Sequence, residues 1–131
     1  MKSIRLVLTI LLGSILLLSC AQKPQLYGTL EGHVSIGSLT PVQREGEPTP
    51  TPNPEVYAIR AVVVYEADGK TVFMRIKIDS SGAYQAELPV GTYVVDINRI
   101  GIDRAAGFPK QIEITANAVT SVDIDIDTGI R

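Results

Sequence analysis

The stretch Ile78-Asp79-Ser80-Ser81-Gly82-Ala83-Tyr84-Gln85-Ala86-Glu87-Leu88-Pro89-Val90-Gly91-Thr92-Tyr93-Val94-Val95-Asp96-Ile97 decides the fold. Within it Tyr84, Ala86 and Leu88 alternate with Gln85 and Glu87, and Tyr93, Val95 and Ile97 alternate with Val94 and Asp96. A period of two places one set of side chains in a core and the other toward water, which is the pattern of a half-buried strand. Asp79-Ser80-Ser81-Gly82 and Leu88-Pro89-Val90-Gly91 read as type I turns. Pro89 presets φ in the second, and a glycine in the left-handed region closes each.

The same pattern extends outward in both directions. Leu30, Val34 and Ile36 oppose Glu31, His33 and Ser35; Val72, Met74, Ile76 and Ile78 oppose Phe73, Arg75 and Lys77. Ile112 and Ile114 oppose Glu113, and Val122, Ile124 and Ile126 oppose Asp123, Asp125 and Asp127. Ala61 to Tyr65 is apolar on both faces, which suits a central strand covered on both sides or shielded by a loop. Asp68-Gly69 reads as a two-residue hairpin in which both positions take φ > 0. No helical periodicity accompanies these runs. Seven strands joined by tight turns predict an all-β fold over residues 28–131, a seven-stranded antiparallel β-sandwich.

The motif of an aspartate turn, an aromatic residue and then Leu88-Pro89-Val90-Gly91-Thr92-Tyr93 resembles the carboxypeptidase regulatory-like domain. Gly32-His33-Val34 is similar to that family's first strand, and Val62-Val63-Val64 with Gly69-Lys70 to its next hairpin. The resemblance covers residues 28 to 127. It implies a prealbumin-like (transthyretin-like) sandwich and brings no catalytic residues; function has to be argued from a site. The departure from the family pattern is a Pro-rich insertion over 37–57, with prolines at Pro41, Pro48, Pro50, Pro52 and Pro54. Such a segment favours polyproline II, and with Tyr57 at its end it is a candidate binding loop; a plain surface spacer has the same composition.

At the amino end, Lys2 and Arg5 precede an apolar stretch from Leu6 to Leu18, and Ser19 sits before Cys20. This is the layout of a signal peptide over residues 1–19. The apolar stretch reaches about 20 Å as a helix, short of the roughly 30 Å hydrocarbon core. Leu17-Leu18-Ser19-Cys20 resembles the bacterial lipobox. That resemblance implies lipidation of Cys20, cleavage before it, and a membrane anchor of two or three acyl chains on an exported protein, on the outer face of the cell membrane or on another envelope membrane. Residues 20–27 then form the lipidated cysteine and a tether.

Composition narrows the chemistry. The formal charge is −2 for the whole chain, and losing Lys2 and Arg5 makes the processed chain more acidic, which disfavours a nucleic-acid partner. Cys20 is the only cysteine and His33 the only histidine, so neither an intrachain disulfide nor a multi-histidine zinc site can be assembled. His33 falls on the polar face of the first strand, and no serine stands in a Gly-x-Ser-x-Gly elbow. Asp123, Asp125 and Asp127 offer an alternative calcium set, but on a strand they stand about 6.8 Å apart, too far to share an ion at about 2.4 Å. A solvated acidic face fits that spacing better. No cofactor is implied. Two functions follow: a non-catalytic surface module that binds or scaffolds an envelope protein or a saccharide, or an accessory or cryptic envelope hydrolase.

Overall fold

The computed structural model describes residues 23–37, 45, 46, 48 and 52–130; the 1–19 leader, Cys20, Pro41 and Pro50 lie outside the described residues. In chain order the elements are β1 (Tyr27–Ile36), α1 (Pro54–Ala58), β2 (Ala61–Glu66), β3 (Val72–Lys77), β4 (Ala83–Pro89), β5 (Gly91–Ile97), β6 (Arg104–Ala105), β7 (Lys110–Ile114), β8 (Val119–Ser121) and β9 (Ile124–Asp127). The fold is mostly β, in two sheets. One runs β4-β1-β9-β6, with β8 also paired to β1; the other runs β3-β2-β5-β7.

The alternating residues of both sheets meet in one core. Leu30, Leu88, Ile114, Ile124, Ile126 and Val95 are fully buried in it. Val62 and Val64 point inward, while Val63, on the opposite face of the same strand, is only 1 % exposed. In register Val63 lies between Arg75 and Asp96, so the outer face of this sheet is covered there as well. The doubly apolar sequence of β2 fits this cover at Val63, while Ala61 and Tyr65 on the same face are half-buried.

Four expectations are corrected. The sheets are not wholly antiparallel, because β8 and β9 run parallel to β1. The last alternating run, read from Val122, is a strand only from Ile124; a separate short strand, β8, precedes it, and the two-residue β6 pairs with β9. A helix, α1, ends the segment read as a loop: Asn53 caps it by accepting from the Glu55 N–H, and Pro54 opens it, where a missing N–H costs nothing. Of Asp68-Gly69, only Gly69 has positive φ. The Asp68 carboxylate instead accepts from the N–H groups of Lys70 and Thr71 and from the Thr71 hydroxyl, in a longer loop closed between Glu66 and Thr71.

Candidate functional site

The break between β8 and β9 organises an open groove that holds His33. At the break the Val122 N–H donates to the Glu31 carbonyl at 2.9 Å. One step on, the His33 N–H donates to Oδ1 of Asp123 at 2.9 Å, so a side-chain carboxylate stands where a ladder carbonyl would otherwise be. The freed Val122 carbonyl accepts from the buried Tyr84 hydroxyl. Gly32 makes this possible, since a Cβ there would fall 1.9 Å from the Val122 carbonyl oxygen and 2.9 Å from the Tyr84 hydroxyl. Burial, and then the Asp123 charge, push the Tyr84 phenol well above its ordinary pKa.

Around the break lies an open groove of about 500 Å³, lined among others by Glu31, His33, Lys77, Asp79, Gln85 and Asp123. His33 Nε2 lies 2.9 Å from the Ser81 carbonyl, which can only accept, so Nε2 is the donor. The Ser81 hydroxyl does not face His33; it donates to Asp79 at 2.6 Å. Asp79 also accepts the N–H groups of Ser81 and Ala83, at 2.8 and 3.0 Å. The Ser81 hydroxyl first, then these N–H groups, hold its carboxyl below the usual range. Nucleophilic catalysis needs a hydroxyl bonded to its base, and here the Ser81 hydroxyl is committed to a carboxylate.

The three C-terminal aspartates serve three separate donors. Asp123 takes the His33 N–H, Asp125 the Ser35 hydroxyl at 2.9 Å, and Asp127 the Gly129 N–H at 2.8 Å. Among the described residues no cluster of three His, Cys, Asp or Glu could hold a metal ion. Of the Pro-rich segment, Pro48 is exposed, Pro52 half-buried and Pro54 part of α1. Tyr57, at the end of the segment, is 5 % exposed and packs in the central cluster, so it pins that end to the body.

Sequence reading missed a buried fork. Arg60 Nε and Nη2 donate to the two oxygens of Asp103 at 2.9 and 3.2 Å, and Nη1 donates to the Val56 carbonyl of α1 at 2.9 Å. This ties α1 to the connection between β5 and β6. The partners are 43 residues apart, and no local period links them. Asn53-Pro54, in contrast, is a legible helix start.

No family profile matches the chain, and no curated protein is similar to it in sequence. In structure it is similar to GBS52, the minor pilin of Streptococcus agalactiae, with a TM-score of 0.52 and 16 % identity over 79 % of this chain. It also resembles a DUF3823 family protein from Parabacteroides merdae, with a TM-score of 0.47 and 14 % identity over 78 % of this chain. The chain covers 45 % and 46 % of these two structures, under half of each. The pilin likeness places the described residues in the class of β-sandwich folds. At 16 % identity it defines a fold and no activity.

Proposed function

We propose that this chain is the precursor of a bacterial surface lipoprotein, whose prealbumin-like, carboxypeptidase regulatory-like sandwich binds or scaffolds and performs no chemistry of its own. The observation that carries the reading is the run Leu17-Leu18-Ser19-Cys20, directly behind an apolar leader and seven residues ahead of β1. The sharing of this fold with a pilin component fits display on a cell surface. The groove around His33 fits contact with polar groups of an envelope protein or a saccharide. A hydrolase reading has less support, because Ser81 gives His33 its carbonyl and gives Asp79 its hydroxyl.

The test is metabolic labelling with a fatty-acid analogue in a bacterial host. The native chain should be labelled, shortened and membrane-bound, and Cys20→Ala should lose the label and remain unprocessed. A labelled, membrane-bound Cys20→Ala chain would sink the proposal.

A further inference from the structure

Among the described residues nine large apolar side chains are exposed, and they are not spread evenly. Leu26, Tyr27, Val90 and Val119 gather where β1 begins: the Val90 N–H bonds the Leu26 carbonyl, Tyr27 pairs with Pro89, and Thr29 pairs with Val119. Leu26, Tyr27 and Val119 line a shallow groove of about 450 Å³. Phe73 extends the patch through Tyr93, whose ring it meets edge-on at 5.1 Å. Ile59, Ile102 and Ile130 lie toward the other end, beyond the start of β2 and the ends of β5 and β9.

We infer that this end is a membrane-facing surface, with Leu26, Tyr27, Val90 and Val119 resting in the headgroup region of the bilayer that holds the acylated Cys20. The inference rests on the lipidation proposed above. Leu26 follows Cys20 by six residues, a reach of about 20 Å at full extension. β1 is ten residues long, about 33 Å. With the far end against the membrane, the start of β1 would stand about 33 Å away, beyond the tether's reach. The inverted orientation is therefore closed to the anchored domain, and among the rest the apolar patch selects contact. Tyrosine and aliphatic side chains favour the interface, and a short tether holds them at high effective concentration beside it. Among the described ionisable groups near this end are Lys23 and Lys70 against Glu66, Asp68, Glu87 and Glu113, with no cationic excess. Contact is accordingly independent of anionic lipid.

Cys20 as the only thiol and the absence of tryptophan make this testable without the cell's own processing. Residues 20–131, which contain every described strand, are coupled through Cys20 to maleimide-headgroup lipid in phosphatidylcholine vesicles carrying brominated acyl chains. A single fluorophore is introduced as Val119→Trp or, at the far end, as Ile102→Trp, both exposed positions. After circular dichroism establishes that both variants are folded, Val119→Trp should be blue-shifted and quenched severalfold more than Ile102→Trp, and equally so with phosphatidylglycerol added. Equal quenching of the two variants overturns the inference. So does a blue shift of Val119→Trp without quenching, together with dimer on size-exclusion chromatography, since a second copy would then occupy the patch. Because the anchor is chemical, either failure concerns this surface alone, whereas loss of lipidation in cells is read separately from the Cys20→Ala experiment.

Discussion

The turn before β4 and the turn after it both close on glycine, yet only the first requires one. Gly82 has a φ of +88°, its carbonyl accepts from Val34 N–H at 2.7 Å, and a Cβ would lie 2.5 Å from the Val34 carbonyl oxygen. Gly91 does not have positive φ, contrary to the expectation from its turn. A Cβ there would meet only the Tyr93 ring, at 3.7 Å or more. The second turn is held from outside by the Tyr93 hydroxyl, which donates to the Pro89 carbonyl at 2.9 Å in the manner of a tyrosine corner. A glycine is indispensable where backbone packs against it. Where an aromatic hydroxyl four residues on does the holding, the glycine is a convenience.

The largest effect should come from Gly82→Ala. Left-handed backbone costs an alanine about 1–2 kcal/mol, and the methyl also strikes the Val34 carbonyl, so a loss of about 2 kcal/mol or more is expected in urea unfolding. Tyr93→Phe should cost about 1 kcal/mol through the lost bond to Pro89. A smaller and pH-dependent effect is expected at Asp79. Its folded pKa lies below the ordinary value, so its charged form stabilises the fold above about pH 4 and that contribution fades as pH falls. Melting temperatures of wild type and Asp79→Asn should therefore differ at neutral pH and converge in acid; a constant gap would assign the effect to something other than the carboxylate. Gly91→Ala should change stability by less than about 0.5 kcal/mol. A cost equal to that of Gly82→Ala would erase the distinction between the turns.

Each of the seven runs contributes a strand: in six, burial of one face imposes period two directly on the residues, and in Ala61 to Tyr65 a continuous apolar run marks the strand. What escaped reading has no such period. β6 is two residues long, the Arg60–Asp103 fork spans 43 positions, and the break at Val122–Asp123 arises from Gly32 on a different strand. The parallel partnership of β1 with β8 and β9 was equally invisible, since alternation fixes faces and not neighbours. At the site, the polar-face position of His33 was legible in the first strand. Its pinning to the Ser81 carbonyl depends on how the Asp79 turn folds over β1.

The central place of β1 has a mechanical consequence. It is paired over seven positions with β4 on one side, and over three with β8 and three with β9 on the other. Ladder bonds lie across the strands, so a pull entering through residue 26 acts along β1 and loads both ladders in shear. The bonds must then give way together, whereas a strand drawn sideways from an edge, such as β3, releases them one after another. A drag applied to the domain through its amino end thus meets the fold where its resistance is greatest.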